Sequence, residues 1–295
     1  MRSTLPDASR VRLKTALGCY PYLAPLREGS IADPCVGFDF IEVAPIPKAF
    51  APMVRRLEYD LSEMAVVTAL QAFAFRKPII LLPAVIASRF QRGCLIRHRD
   101  RPLAGPRALV GKTIGVRSFT QTTGMWVRAA LHDDHGLLAG EMRWRVSEGA
   151  HLVEYSAPPF VEWDDSGKTL PDQLRDGDIA AAIMGADLPE SQEFVPVLTD
   201  HAAADRAWHD RHGWMPINHM VAVRADIAAR QPDAVRAAWR LIREAAAGAT
   251  GTLFGTDAVR GPLVYIEEEA RRQGLLPHPV DVDALLEPAF RLLGE

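Results

Sequence analysis

One segment of the sequence combines the residue types that hold an anion in proteins. A β-branched stretch at 112–117 is followed by a helical pattern at 123–135, and the turn between them is rich in side-chain donors, among them Ser118, Gln121 and Thr122. The first turn of a helix carries unpaired N–H groups and partial positive charge. The segment therefore predicts a site for a carboxylate or a similar oxyanion. Capping of the helix by the same hydroxyls is the structural alternative.

The helix that follows this turn is predicted to have one apolar face. The i, i+3, i+4 spacing places on that face Thr123, Trp126, Val127, Ala130 and Leu131. Arg128 and His132 lie near the opposite face, and Gly136 fits the position after a helix end where a left-handed residue is common. Trp126 has two interpretations, a core residue or one wall for an aromatic ligand.

Two titratable residues lie at the ends of predicted strands, where a proton carrier is useful. His219 follows Ile217 in an apolar stretch at 214–224, and Glu63 ends the predicted strand at 58–64. A histidine or a carboxyl group in such a place acts as a general acid in many enzymes. A buried structural histidine and an acid that complements a helix dipole remain the alternatives for the two residues.

Further side chains with binding potential come from the first third of the chain. Arg89 and Arg92 follow an apolar strand and are candidates to clamp a carboxylate, because guanidinium binds carboxylate through two hydrogen bonds. Ordinary solvated arginines are the alternative. Tyr20 could cover an aromatic ring or belong to the core, and we include Ser62, directly before Glu63, among the candidate substrate contacts.

The sequence carries none of the familiar cofactor signatures. It has no GxGxxG or Walker loop and no GxSxG elbow. His209 and His212 are three residues apart, but no HExxH or paired-cysteine spacing accompanies them. We therefore expect neither a metal nor an organic cofactor.

Composition limits the class of partner. The chain has 295 residues, 48% of them apolar, and a net charge of -3, which argues against a nucleic-acid binder. No apolar run reaches the roughly 18 residues of a membrane span, and the first residues show no secretory signal. Three cysteines without a CxxC pair favour reduced thiols. The expectation is a cytoplasmic protein with a small anionic ligand, as a monomer or a homodimer.

Alternation of strand and helix patterns predicts an α/β fold built from βαβ units. Several segments then resemble, in order and spacing, the 4,5-dihydroxyphthalate decarboxylases of the type II periplasmic-binding-protein-like superfamily. They are DLSEM at 60–64, ASRFQRG at 87–93, FTQTTGMWVRAAL at 119–131, TLPDQLRDGDIAAAI at 169–183 and HGWMPINHMVAVR at 212–224. The resemblance implies two lobes with a ligand cleft between them. We place the discontinuous first lobe at 1–111 and 218–295 and the inserted second lobe at 112–217.

The same resemblance implies a function. It is cofactor-independent decarboxylation of a hydroxylated aromatic carboxylate, a carbon-carbon lyase reaction in aromatic compound catabolism. His219 or Glu63 would protonate the ring carbon, and the Ser118–Thr122 turn would bind the retained carboxylate. The alternatives are a solute-binding protein of an ABC transporter and a cytoplasmic anion-binding protein without catalysis.

Overall fold

The computed structural model describes residues 10–185 and 191–294, and in these ranges the chain folds around two six-stranded β-sheets. The chain divides into two units, each with one of the sheets. The first comprises Met1–Ser88, Ile217–Glu267 and Pro279–Glu295, and the second comprises Arg89–Pro216 and Glu268–His278. The amino-terminal segment behind the cytoplasmic prediction lies largely outside the described residues.

The strands are numbered in chain order. They are β1 (Val11–Ala16), β2 (Val36–Phe40), β3 (Leu61–Ala65), β4 (Ile79–Ser88), β5 (Leu95–His98), β6 (Thr113–Val116), β7 (Arg143–Val146), β8 (Val161–Trp163), β9 (Ala181–Ile183), β10 (Phe194–Pro196), β11 (Ile217–Arg224) and β12 (Leu253–Phe254). The α-helices are α1 (Ala24–Arg27), α2 (Phe50–Arg56), α3 (Val66–Ala74), α4 (Thr122–His135), α5 (Leu170–Asp176), α6 (His201–His212), α7 (Ala225–Arg230), α8 (Pro232–Ala245), α9 (Thr256–Arg272) and α10 (Val282–Leu293).

The sheet of the first unit has the order β12-β4-β11-β3-β1-β2. Strands β1, β2 and β3 are parallel, as βαβ connections require, whereas β11 is antiparallel to both β3 and β4. The register between β11 and β4 shifts around His219, which marks a β-bulge. Bulges re-aim side chains and are frequent beside functional sites.

The core of the first unit explains why these strands form. Apolar side chains of the sheet are buried in it, among them Leu13, Leu61, Leu82 and Val221, and the apolar face of α8 packs on them. Each fully buried Leu or Val contributes about 1.5–3 kcal/mol. Val235 is among the residues of α8 buried in this core.

The sheet of the second unit has the order β10-β5-β9-β6-β7-β8. Strands β6 to β9 are mutually parallel, and β5 is antiparallel to β9 and β10. Because β5 pairs within this sheet, the second unit begins at Arg89, whereas the sequence analysis began the second lobe at residue 112. Its other predicted boundary, at 217/218, lies one residue from the observed Pro216/Ile217 division.

No helix within residues 10–185 and 191–294 combines the length and the apolar content that a bilayer crossing requires.

Candidate functional site

The first unit holds a buried carboxylate with three hydrogen-bond donors. The side chain of Glu63 is 0% exposed. Its Oε1 accepts from the Tyr20 hydroxyl at 2.6 Å and lies 2.5 Å from Nδ1 of His219, and its Oε2 accepts from the Gly18 N–H at 2.8 Å. A buried carboxylate is costly unless it is hydrogen-bonded in this way. Glu63 is therefore a built feature of the unit and not a surface acid that merely complements a helix dipole.

Strand register brings Glu63 and His219 together. In the antiparallel pair of β3 and β11, Glu63 lies opposite Val221 and His219 opposite Ala65. Side chains two positions apart on a strand share a face, so Glu63 and His219 are diagonal neighbours, within the reach of long side chains. A contact across 156 residues of sequence follows from this pairing.

Gly18 and Tyr20 hold the other side of the carboxylate. A Cβ at Gly18 would lie 2.8 Å from the Tyr20 ring and 3.1 Å from Oε2 of Glu63, so the close N–H contact needs glycine. The Tyr20 ring stacks on Tyr22 with centroids 5.2 Å apart. Burial, and then the charge of Glu63, raise the pKa of Tyr20, so its hydroxyl stays protonated and donates. Tyr20 thus supports Glu63, a role that the sequence analysis did not foresee.

The imidazole of His219 is the partly exposed member of this group. Its side chain is 18% exposed, and the Phe50 ring packs edge-on at a centroid distance of 5.0 Å. With Nδ1 donating to the carboxylate, Nε2 is the ring atom left to exchange a proton. A carboxylate that orients a histidine in this manner is a recurring arrangement in general acid-base catalysis. Ser62, placed in the site by the sequence, is buried and donates to the backbone carbonyl of Glu63.

The second unit contains the predicted anion turn. Helix α4 begins at Thr122 after the N-cap residue Gln121, whose side chain makes no capping hydrogen bond. Ser118 instead bonds Thr120 at 3.2 Å and the Gly149 carbonyl at 3.3 Å. The hydroxyls of this turn are therefore not used as helix caps.

Two buried polar atoms at the turn have no hydrogen-bond partner within the described residues. They are Oγ1 of Thr122, a residue that is 4% exposed, and Oε1 of Gln121. Buried polar atoms without partners are rare in native proteins and call for an explanation such as an absent ligand. The first turn of α4 therefore fits an oxyanion that accepts hydrogen bonds from the Thr122 hydroxyl and the backbone N–H groups.

An arginine adjoins this turn. Nη2 of Arg89 donates to Oγ1 of Thr123 at 3.3 Å. Gly185 permits the approach, because a Cβ there would lie 2.7 Å from the same Nη2. Arg89, Thr123 and the α4 terminus thus form one polar group in the second unit.

Arg128 of α4 was expected near the polar face but is buried, at 2% exposure. Its Nε donates to Gln273 and its Nη2 to the Phe119 carbonyl, both at 2.8 Å. The prediction failed because α4 is covered on both sides, here by a segment 145 residues away. The hydrophobic spacing of the helix carried no sign of this partner.

Two other predicted binding residues are occupied by protein contacts. Arg92, 4% exposed, bonds the carboxylates of Asp134 and Asp205 through Nε, Nη1 and Nη2. Trp126 packs edge-on against Trp208 and against Trp214, each at 5.8 Å between ring centroids. Both therefore have structural roles here, and we leave them out of the proposed site.

One group of potential metal ligands lies elsewhere in the second unit. Within the described residues, His132, Asp133 and Glu269 bring ligand atoms within 4.8 Å of one another. The guanidinium of Arg272 pairs with Glu269 and approaches Nδ1 of His132 at 3.1 Å. This cation already pairs with Glu269 and approaches His132, so we assign no metal to the group.

Curated proteins similar to the chain share one name. The chain is 26% identical over 285 residues to a 4,5-dihydroxyphthalate decarboxylase of Comamonas testosteroni, covering 89% of the chain and 83% of that enzyme. It is 28% identical over 184 residues to a 4,5-dihydroxyphthalate decarboxylase of Pseudomonas putida, covering 59% of the chain and 70% of that enzyme. No protein-family model matches the chain.

Solved structures with the same fold have low sequence identity. A Candida albicans gene product with the generic periplasmic binding protein fold has a TM-score of 0.55 at 12% identity, over 96% of this chain and 95% of its own. The desulfurization enzyme DszB in complex with biphenyl-2-sulfinic acid has a TM-score of 0.56 at 14% identity, and the match covers 97% of this chain and 99% of the DszB chain. A periplasmic sulfonate-binding protein of Methylobacillus flagellatus has a TM-score of 0.52 at 10% identity, and the match covers 97% of this chain and 94% of the binding protein.

These comparisons confirm the resemblance drawn from the sequence motifs. The chain is similar in sequence to 4,5-dihydroxyphthalate decarboxylases, and its fold is that of the periplasmic binding proteins.

Proposed function

We propose that the protein is a cofactor-independent decarboxylase of a hydroxylated aromatic carboxylate of the 4,5-dihydroxyphthalate type. The names of its curated relatives support this class of reaction. The observation that carries the proposal is the buried Glu63 carboxylate, 2.5 Å from Nδ1 of a partly exposed His219. A protein that only binds a solute has no need of such a proton-transfer pair.

The reaction needs one proton and no external electrons. In 4,5-dihydroxyphthalate each carboxylate is para to a hydroxyl group, which donates electron density to the carbon that bears the carboxylate. An acid protonates this carbon, the bond to the carboxylate breaks, and its electron pair restores the aromatic ring as CO2 leaves. The product is 3,4-dihydroxybenzoate, and the acid recovers its proton from solvent.

We assign the acid to His219 and the orienting role to Glu63. The carboxylate accepts the Nδ1 proton and fixes the ring, so that Nε2 carries the proton that the carbon receives. Tyr20 and Gly18 keep the carboxylate in place through the other two hydrogen bonds. A positioned general acid of this kind accelerates reactions by about 10²–10⁴-fold.

We assign oxyanion binding in the second unit to the first turn of α4 and to Arg89. The unpartnered Thr122 hydroxyl, the free helix N–H groups and the guanidinium supply donors of the kind a carboxylate requires. Ser118 and Gln121 shape the same turn. A small anionic ligand, the bound biphenyl-2-sulfinic acid, is also found on a DszB protein of the same fold. We further propose that the protein acts in the cytoplasm.

The binding-only alternative has one observation in its favour, the fold that the chain shares with a sulfonate-binding protein. The two functions differ in a simple assay. Purified protein is incubated with 4,5-dihydroxyphthalate while CO2 and 3,4-dihydroxybenzoate are measured, with phthalate, which lacks the para hydroxyl, as the matched compound. The proposal expects CO2 from the hydroxylated compound alone. Tight binding of both compounds without any CO2 establishes the binding-only function.

His219→Asn tests the assignment of the acid in the same assay. His135 offers the matched control, because it is a histidine at the far end of α4 whose backbone carbonyl, and not its ring, takes the hydrogen bond from Arg107. His135→Asn should retain turnover, whereas His219→Asn should lose about 10²–10⁴-fold. If both variants decarboxylate at the wild-type rate, the acid lies elsewhere.

A further inference from the structure

Arg128 is a buried cation with no carboxylate partner. Two of its nitrogens donate to neutral oxygens, those of Gln273 and Phe119. Its guanidinium carbon lies 4.1 Å from the centroid of the Phe119 ring and 5.0 Å from that of Trp144. Among the described residues, no acidic side chain forms an ion pair with it. Arg92, in the same unit, shows the usual solution for a buried arginine, pairing with two carboxylates.

The guanidinium also has an unused donor. Nη1 of Arg128 is buried, and in the part of the chain that the structure describes it has no hydrogen-bond partner. Leaving a buried charge with unmet donors is costly, and natural proteins retain such groups chiefly where function needs them. Burial lowers the pKa of Arg128 to about 9, so the side chain still carries its charge at neutral pH. The second unit therefore contains a buried side chain with a fixed positive charge.

This charge lies under the first turn of α4. Side chains in a helix point back toward its N-terminus, and Nη1 of Arg128 is 3.1 Å from the position that a Cβ of Gly124 would take. Gly124 is the third residue of α4, and the unpartnered Thr122 hydroxyl belongs to the same turn. The turn therefore combines the helix dipole, an unpartnered hydroxyl and a buried cation, all of which favour a negative ligand.

We propose that Arg128 is a positioning residue that supplies the fixed positive charge for an oxyanion bound at the first turn of α4. This inference rests on the proposed function only for the chemical class of that oxyanion, a carboxylate. Arg128 acts through the turn: its Nη2 holds the Phe119 carbonyl, and its charge strengthens the field at the N–H groups. A buried charge is screened little by salt, so the contribution should persist at moderate ionic strength.

The groups in contact with Arg128 do not change their own charge in the pH range in which Arg128 would lose its proton. Tyr155 is the titratable side chain whose charge acts directly on it, and burial raises the pKa of Tyr155, which keeps that phenol neutral. Gln273 and the Phe119 carbonyl do not titrate. Glu269 accepts a hydrogen bond from Nε2 of Gln273 at 3.3 Å, and Gln273 in turn bonds Arg128, so Glu269 is the acidic group next to this partner. A decline in anion binding near pH 9 is therefore expected from Arg128, and the buried Cys94 thiol near Arg89, whose pKa burial raises, is the other nearby group that titrates in the alkaline range.

Three variants and one pH series test the inference, with phthalate as the probe because its carboxylates stay ionised above pH 7. Arg128→Gln removes the charge, and Arg128→Lys keeps it while losing the forked hydrogen bonds. Arg107 provides the matched control: its Nη2 bonds the His135 carbonyl at the opposite end of α4, so Arg107→Gln removes one positive charge far from the first turn. Dissociation constants are measured by calorimetry at pH 7.5 and, for the wild type, up to pH 10.

The inference expects phthalate affinity to fall about tenfold or more in Arg128→Gln, as for loss of one nearby charge at an effective dielectric constant of about 20. Arg128→Lys and Arg107→Gln should stay within about threefold of the wild type, and wild-type affinity should decline through pH 9. Equal affinity in Arg128→Gln overturns the inference, as does Lys binding as weakly as Gln. If Arg128→Gln does not fold, a flat wild-type pH series overturns it. Wild-type protein without phthalate affinity also overturns it, whereas Arg128-dependent binding without decarboxylation refutes only the proposed function.

Discussion

Replacing Glu63 by glutamine keeps the shape of the side chain and removes its charge. The amide has one oxygen and one NH2 group where the carboxylate has two acceptor oxygens. The Gly18 N–H, 2.8 Å from Oε2, requires the amide oxygen to face it. The NH2 group must then face Tyr20 and His219. It can donate to Nδ1 of His219 only if the imidazole proton moves to Nε2.

The energetic effect of this change can be worked from the contacts. Two charge-assisted hydrogen bonds, at 2.6 and 2.5 Å, become neutral ones. Charge-assisted bonds contribute about 1.5–3 kcal/mol each and neutral ones about 0.5–1.5 kcal/mol. The difference is about 2 kcal/mol, partly offset because a neutral amide is easier to bury than a carboxylate. We therefore expect Glu63→Gln to lose about 1–2 kcal/mol of unfolding free energy.

The effect on turnover should be much larger than the effect on stability. The altered tautomer and the missing charge leave His219 without its orienting partner, and we expect kcat to fall by about 10²–10⁴-fold. The assays are CO2 release at saturating 4,5-dihydroxyphthalate and chemical denaturation of the same samples. Glu267→Gln is the control, since Glu267 is a buried glutamate of the same unit whose carboxylate accepts the Val280 N–H. A folded Glu63→Gln protein with near wild-type kcat refutes the reasoning.

Three further predictions concern single atoms of the two sites. Tyr20→Phe deletes the hydroxyl that donates to Glu63 at 2.6 Å. In steady-state kinetics kcat should fall about tenfold with little change in KM, and an unchanged kcat would show that Tyr20 does not support the carboxylate. Thr122→Val keeps the side-chain shape and deletes the unpartnered hydroxyl. The binding free energy of phthalate, measured by calorimetry, should weaken by about 1–3 kcal/mol. An unchanged affinity would show that this hydroxyl does not bind the ligand. Burial lowers the pKa of Arg128 to about 9 in the folded state, so between about pH 9 and 12 only the unfolded arginine stays protonated. The free energy of unfolding of the wild type, relative to that of Arg128→Met, should therefore rise with pH in this range, by up to about 1.4 kcal/mol per pH unit. A constant stability difference across that pH range contradicts the burial of a charged guanidinium.

Local patterns in the sequence were sufficient for the elements that carry the sites. The predicted helix at 123–135 corresponds to α4 at Thr122–His135, and Gly136 has the left-handed conformation expected after its end. The polar turn before α4 was also recognised from local residue types, although these left open whether its hydroxyls cap the helix or bind an anion. These features depend on neighbours within a few residues, so periodicity and turn chemistry report them.

Contacts between distant strands could not be predicted in the same way. Glu63 and His219 were singled out separately, but their hydrogen bond depends on the register of β3 and β11. Arg128 illustrates the same limit, because its polar partner Gln273 decides that it is buried. Arg92 likewise needs Asp134 and Asp205 to be recognised as structural. Only the pairing of distant segments, which no local pattern encodes, distinguishes these roles.

The central claim is that His219, oriented by Glu63, delivers the proton that replaces CO2 on the ring carbon. It is tested most directly in a single-turnover experiment that follows binding of 4,5-dihydroxyphthalate and release of CO2 in one sample, for the wild type and for His219→Asn. We predict that the variant binds the compound within about threefold of the wild type and releases CO2 about 10²–10⁴-fold more slowly. Release of CO2 at the wild-type rate from His219→Asn would contradict the claim.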